Sequence, residues 1–120
     1  MKYMDDSAEV LALKQELEPG MPIYRRKSIY SRIRSQRLRE AQRLGTHTKD
    51  QWISVLEETG YICVKCGCTP EGRPCKDHIV PIFMGGSDGI GNLQPLCREC
   101  NTEQQDCCTN WLKAWRDQHK

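Results

Sequence analysis

Two Cys-x-x-Cys pairs constrain the fold of this 120-residue chain more than any other feature: Cys63 with Cys66, and Cys97 with Cys100. A Cys-x-x-Cys turn directs two thiolates toward one point, and two such turns can complete a tetrahedral zinc site. A short chain buries a small core and often needs a metal or a disulfide for stability. The alternatives are four ordinary core cysteines, or disulfides in a secreted protein. We predict a structural zinc ion.

The expected compartment supports metal binding by these pairs. No apolar run approaches the roughly 18 residues that a membrane span needs, and the first six residues lack the apolar stretch of a secretory signal. We therefore expect a cytoplasmic protein without a membrane partner. In a reducing compartment, paired cysteines bind metal more often than they form disulfides. Cys68 could compete as a ligand, whereas Cys75, Cys107 and Cys108 have no partner at a useful spacing.

The interval between the two pairs contains a second group of polar residues. Thirty residues separate Cys66 from Cys97, against roughly 15–20 in the common zinc ribbon, which indicates an inserted segment. Asp77 and Asn101 offer a carboxylate and an amide oxygen, which suit a hard divalent cation. On a strand, His78 would point away from Asp77 and could accept a proton from a water molecule. Asn92 could fix the imidazole by a hydrogen bond.

Local patterns predict an α+β fold in three parts. Residues 1–22 form an acidic helix and linker, residues 23–60 form a basic helical segment, and residues 61–120 form the core. Asp6 with Glu9, and Thr48 with Gln51, are typical of helix starts. The predicted elements are helices at about 28–44, 48–59, 97–107 and 110–118, and β-prone pieces at 61–64, 76–83 and 92–96. Residues 85–89 form a loop.

The segment from Tyr24 to Lys49 is strongly basic, with nine basic residues and one acid, although the net charge of the whole chain is only +2. Lysine and arginine neutralise phosphates, so we expect this segment to bind nucleic acid; the alternative is a solvated helix face. The candidate residues are Arg25, Arg26, Lys27, Arg32, Arg34, Arg37, Arg39 and Arg43. His47 and His119 are expected to be ordinary polar residues, and the three tryptophans are expected to pack in the core.

Residues 63–101 resemble the HNH endonuclease family. The strings that carry the resemblance are Cys63-Val64-Lys65-Cys66-Gly67, Asp77-His78-Ile79-Val80-Pro81, Gly85-Gly86-Ser87-Asp88, Asn92-Leu93-Gln94-Pro95-Leu96-Cys97 and Cys100-Asn101. The segment 46–52 also resembles the helix that precedes the zinc pairs in compact phage and bacterial members. The resemblance implies a small zinc-stabilised ββα-metal core with preceding N-terminal helices.

The same resemblance implies roles for individual residues. His78 corresponds to the general base, Asn92 to the residue that orients it, and Asp77 and Asn101 to the ligands of the catalytic metal. The third position of the family motif is Asn101 rather than a histidine, which favours Mg²⁺ or Mn²⁺. Family members commonly carry a lysine shortly after that position, and the residues 102–105 here do not include one.

The implied activity is hydrolysis of DNA phosphodiester bonds with low sequence specificity, most readily on duplex DNA. The resemblance also implies a bacterial or phage-infected cell and a protein partner in a DNA-processing complex. One alternative is a zinc module that binds nucleic acid without catalysis. Another is an interaction module that docks through the N-terminal helix and the face of Trp111 and Trp115.

Overall fold

The computed structural model describes residues 6–103 and 108–120 and contains helices with one small sheet. Its elements are α1 (Ala8–Lys14), α2 (Ile23–Leu44), α3 (Lys49–Thr59), β1 (Cys75–His78), β2 (Leu93–Leu96), α4 (Arg98–Glu103) and α5 (Trp111–Gln118). Two single 3₁₀ turns lie at Ile82–Met84 and Ile90–Asn92. The α+β class is confirmed. Within these residues, no helix has both the length and the apolar character that crossing a membrane requires.

Helix starts follow the local sequence, with two corrections. Thr48 and Gln51 form the predicted capping box of α3, in which Gln51 N donates to Thr48 Oγ1 at 3.1 Å and Thr48 N donates to Gln51 Oε1 at 2.8 Å. The prediction that Asp6 caps α1 is wrong, because Ser7 Oγ accepts the bond from Val10 N instead. Helix α2 begins at Ile23, earlier than predicted, directly after Pro22; proline is compatible with a helix start because it lacks the N–H that would be unsatisfied there.

The strands are shorter than the β-prone sequence suggested. Residues 61–64 are not a strand, because this stretch turns into the first cysteine pair. Strand β1 ends at His78, and the rest of the predicted 76–83 piece becomes a loop and a 3₁₀ turn. The return arm is confirmed as β2, which pairs with β1 in antiparallel register, Asp77 opposite Gln94 and His78 opposite Leu93. Helix α4 begins at Arg98, one residue after the predicted start, and residues 104–107 of the predicted 97–107 helix lie outside the described residues.

Two apolar clusters support these elements. In the larger, residues of α3, β2 and α5, including Leu56, Leu93 and Leu112, pack with three of the four cysteines of the two pairs. Trp52 is buried there, and Trp111 and Trp115 are partly buried against the same cluster, as expected for core tryptophans. The smaller cluster joins α1 to α2 through four buried residues, Val10, Met21, Ile29 and Ile33. The acidic helix therefore packs on the basic one, a choice that the sequence left open.

Candidate active site

The four cysteines of the two pairs converge. Their sulfur atoms all lie within 4.8 Å of one another, and the Sγ atoms of Cys66 and Cys97 are 3.8 Å apart. Zn–S bonds of roughly 2.3 Å in a tetrahedron separate neighbouring sulfurs by roughly 3.8 Å. Cys63, Cys97 and Cys100 are buried and Cys66 is exposed. The donor set and its spacing therefore fit a zinc ion, with Cys68 outside the group.

Backbone groups pre-form both turns. The N–H of Cys66 donates to Cys63 Sγ at 3.5 Å, and the N–H of Cys100 donates to Cys97 Sγ at 3.4 Å. A hydrogen bond from the backbone of Cys68 is the largest effect that lowers the pKa of the Cys66 thiol, to about 6. Burial raises the pKa of the Cys100 thiol. Four clustered thiolates repel one another, so full deprotonation needs a cation such as zinc among them.

A cleft of about 630 Å³ lies beside this cysteine cluster, between α2 and the small sheet. Asp77 and His78 at the end of β1 line one wall together with Asn101 of α4. Tyr30, Arg34 and other residues of α2 line the opposite wall. The structure thus brings together three of the four residues that the sequence predicted for catalysis and metal binding.

Asp77 is buried and has a partner that the sequence analysis missed. Gln94, which is completely buried, donates from Nε2 to Asp77 Oδ2 at 2.9 Å. The oxygen of the same amide accepts from the N–H of Trp111 at 2.8 Å, so it also fixes the start of α5. Burial raises the pKa of the Asp77 carboxyl, and the bond from Gln94 opposes that rise. The position directly opposite Asp77 in the hairpin is the sequence signal that could have identified Gln94.

His78 is held by a second carboxylate. Its Nε2 lies 2.8 Å from Asp88 Oδ1, and the Asp88 side chain is buried. A carboxylate accepts a hydrogen bond from the nitrogen it faces, so that nitrogen carries the proton, and Nδ1 is the nitrogen with a lone pair in neutral His78. Asp88 stands in the Gly85-Gly86-Ser87-Asp88 string, which belongs to the family resemblance but gave no role for Asp88 itself.

Asn92 connects the two ends of the loop that carries Asp88. Its Oδ1 accepts from Val80 N at 2.9 Å, and its Nδ2 donates to Val80 O at 3.0 Å and to Ser87 O at 2.7 Å. The amide contacts backbone groups of the loop rather than the imidazole. Any orientation of His78 by Asn92 is therefore indirect, through the placement of Asp88.

His47 also belongs to this network, although the sequence indicated an ordinary polar residue. Its Nδ1 lies 2.7 Å from the carbonyl oxygen of Asp88, and its Nε2 lies 2.8 Å from Lys76 Nζ. These contacts link the segment before α3 to β1 and to the loop. No spacing rule joins residues 41 positions apart, so this contact could not be read from the sequence.

The eight basic candidates are distributed over several surfaces. Arg34 and Arg37 line the cleft, and Arg37 also pairs with Asp6 at 3.1 Å. Arg32 pairs with Glu16 of the N-terminal segment at 2.8 Å, and Arg39 donates to Gln36 at 2.6 Å. Arg43 borders a second, smaller cavity. The three remaining residues, Arg25, Arg26 and Lys27, are exposed in the first turns of α2.

A two-stranded hairpin followed by a helix, with a histidine, a carboxylate and an amide in the cleft and four cysteines beside it, is the arrangement of a ββα-metal core. In agreement, residues 63–106 match the family model described as HNH endonuclease. This part of the chain is an HNH endonuclease domain. The searches of curated proteins and of solved structures returned no match.

Proposed function

We propose that this protein is a divalent-metal-dependent endonuclease that hydrolyses DNA phosphodiester bonds. An HNH domain implies nuclease activity in general. The observation that carries the more specific proposal is the convergence of Asp77, His78 and Asn101 on one cleft next to the four-cysteine cluster. In this proposal the cysteines hold a structural zinc ion that takes no part in the chemistry.

Asp77 and Asn101 are the residues that would hold the catalytic ion. A carboxylate and an amide oxygen are hard donors, and two protein ligands leave room for the waters that Mg²⁺ and Mn²⁺ retain. Such an ion would supply stabilisation of the negative charge on the phosphate and on the leaving 3′ oxygen. Gln94 orients the Asp77 carboxylate through its 2.9 Å bond.

His78 acts as the general base. With Nε2 directed at Asp88, its Nδ1 accepts a proton from a water molecule, which attacks phosphorus in line with the 3′ oxygen. The reaction turns His78 into an imidazolium, and the buried Asp88 carboxylate stabilises that charge. Asn92 keeps Asp88 in place by tying residue 80 to residue 87.

The substrate contacts come from α2. Arg34 and Arg37 lie within the cleft, and the exposed residues at the start of α2 extend the basic surface along the helix. Contacts of this kind bind phosphates and read no base sequence, which supports cleavage with low sequence specificity. The substrate in this proposal is duplex DNA. The rival function is a zinc module that binds nucleic acid without cutting it. It is favoured by Thr102 and Glu103, which stand where family members commonly carry a lysine.

Metal analysis combined with plasmid cleavage across divalent ions tests the proposed function. We expect one tightly bound zinc per chain and cleavage that depends on added Mg²⁺ or Mn²⁺. Zinc without cleavage under any divalent ion would favour the binding module. Cleavage that needs no added divalent ion would contradict the roles given to Asp77 and Asn101.

A further inference from the structure

We propose that Lys76 binds an oxygen of the scissile phosphodiester and that His47 is the residue that positions it. This inference rests on the proposed function and adds a substrate-binding residue to the same site. In this proposal Lys76 supplies the positive charge that residues 102–103 lack.

The location of Lys76 suits this role. Lys76 and His78 are two residues apart on β1, so their side chains project from the same face of the strand. Lys76 is exposed and lines the cleft together with His78. A phosphate that receives the attack of a water held by His78 therefore lies on the same wall as the ammonium group. Arg34 and Arg37 approach from the opposite wall.

The partners of Lys76 leave its charge unneutralised. Its Nζ lies 2.8 Å from His47 Nε2 and 5.6 Å from the centre of the Trp52 ring. Within residues 6–103 and 108–120, no carboxylate lies within ion-pair distance of this ammonium group. Arg37, by contrast, is paired with Asp6. A cation that is fixed by neutral groups keeps its full attraction for a phosphate.

The donor and acceptor roles of the groups show how His47 holds the ammonium group of Lys76. An ammonium group can only donate, so Nε2 of His47 accepts from Lys76. The remaining nitrogen, Nδ1, then carries the proton and donates to the carbonyl oxygen of Asp88, 2.7 Å away. Neutral His47 thus bridges Lys76 and the residue that contacts His78. The same histidine side chain is only 11% exposed, so its orientation is restrained by packing.

Removal of the charge with little change of shape tests the inference. In Lys76→Met the side chain still covers Trp52 but cannot bind phosphate. We expect single-turnover cleavage to fall about tenfold to a hundredfold. We also expect the slope of log affinity against log salt to decrease by about 1, measured on a DNA duplex without divalent ions. Lys76→Arg keeps the charge and should therefore retain most of the cleavage rate and most of the salt slope.

Lys65 offers a matched control. It is also a lysine over a tryptophan ring, 5.6 Å from the centre of Trp111, but it does not line the cleft. Lys65→Met should cleave and bind as the wild type does. All variants should keep the zinc content and thermal unfolding of the wild type, which separates a local effect from misfolding.

A double-mutant cycle tests the positioning role of His47. His47→Ala should lower the salt slope in the wild-type background, because Lys76 loses its anchor. The same substitution should leave the slope unchanged in the Lys76→Met background. Equal losses in both backgrounds would overturn the positioning role.

A wild-type salt slope and cleavage rate in Lys76→Met would overturn the phosphate contact. The binding measurement needs no catalysis. If the wild type fails to cleave, the proposed function fails, while the salt slope of Lys76→Met still decides whether Lys76 contacts phosphate.

Discussion

Gly86 is the residue at which the loop of the candidate active site has the least room. A Cβ atom at this position would lie 1.8 Å from the carbonyl oxygen of Val80 and 3.0 Å from Nδ2 of Asn92. Only a hydrogen atom fits between these groups. The preceding Gly85 has a positive φ of 90°, which a side chain would strain. Gly86 is therefore required by the close approach of the Val80 carbonyl, and Gly85 by its backbone conformation.

Gly86→Ala should destabilise the protein and slow cleavage. The Cβ would force residues 80 and 86 apart, which breaks the contacts of Asn92 and displaces Asp88 from His78. We expect a loss of about 1–3 kcal/mol, as for other overpacked sites, measured by thermal or urea unfolding. Gly91→Ala is the control, because nothing lies within 4 Å of a Cβ there. Equal stability of the two variants would show that the loop can open without cost.

Single residues of the site were predictable to the extent that they stand in short strings. Residue type and spacing were enough to infer the chemistry of Cys63, Cys97, Asp77 and His78. Asp88, Gln94 and His47 do not, because their roles depend on partners 10, 17 and 29 residues away. Most polar residues in loops and strands have no role in a site. Asp88, Gln94 and His47 reach the candidate site only because the hairpin folds and because the segment before α3 packs against it.

At the scale of elements, Gln94 and Glu58 fix α5 to the rest of the core by polar contacts. Gln94 accepts from the first backbone N–H of α5, and Arg116 donates to both oxygens of Glu58 in α3 at 2.7 Å. The hydrogen bond from Arg116 lowers the pKa of the Glu58 carboxyl below its ordinary 4.5. The stabilisation is therefore present above pH 4.5 and is lost as the pH falls through the lower, folded-state pKa.

Glu58→Gln should lower the free energy of unfolding at neutral pH by about 0.2–1 kcal/mol, because the pair is largely exposed. The difference from the wild type should shrink at high salt, which screens exposed pairs. Salt concentration is a more selective variable than pH for this test, since acid would also protonate the cysteines of the candidate zinc site. Glu57→Gln, one residue away, serves as the control. A difference that is independent of salt would mean that Glu58 acts through packing.

The helices were easier to predict than the strands because caps and termination signals are local. For example, the sequence predicted that α3 starts at the capping box of Thr48 and Gln51 and ends at Gly60, and the structure has both ends there. The strand prediction 76–83 failed beyond His78 because the chain there bonds to Asn92 rather than to a partner strand. That choice depends on a side chain 12 residues away.

At the scale of the whole molecule, the cysteine cluster and the cleft share structural elements. Cys97 follows β2 directly, and Cys100 immediately precedes Asn101. A zinc ion on the four sulfurs would therefore fix the junction of β2 with α4 and, with it, the position of Asn101 relative to Asp77. The long interval between the cysteine pairs accommodates the hairpin and the loop that carry Asp77, His78 and Asp88.

The sequence indicated the nuclease core but not the way in which the basic helix joins it. The cleft exists because α2 packs near the 3₁₀ turn Ile82–Met84 and because the N–H of Asp88 donates to Ala41 O at 3.2 Å. Neither contact leaves a pattern in composition or periodicity. The placement of Arg34 opposite His78 follows from this packing, and it is what turns a basic helix into one wall of the candidate active site.

Plasmid cleavage by His78→Ala tests the central claim most directly. We expect the variant to lose cleavage in Mg²⁺ or Mn²⁺ by about 10²–10⁴-fold, because no other group replaces the base. It should keep one zinc per chain and a wild-type unfolding temperature. His119→Ala, whose ring stacks on Trp115 away from the cleft, should cleave as the wild type does. Wild-type cleavage by His78→Ala would contradict the account.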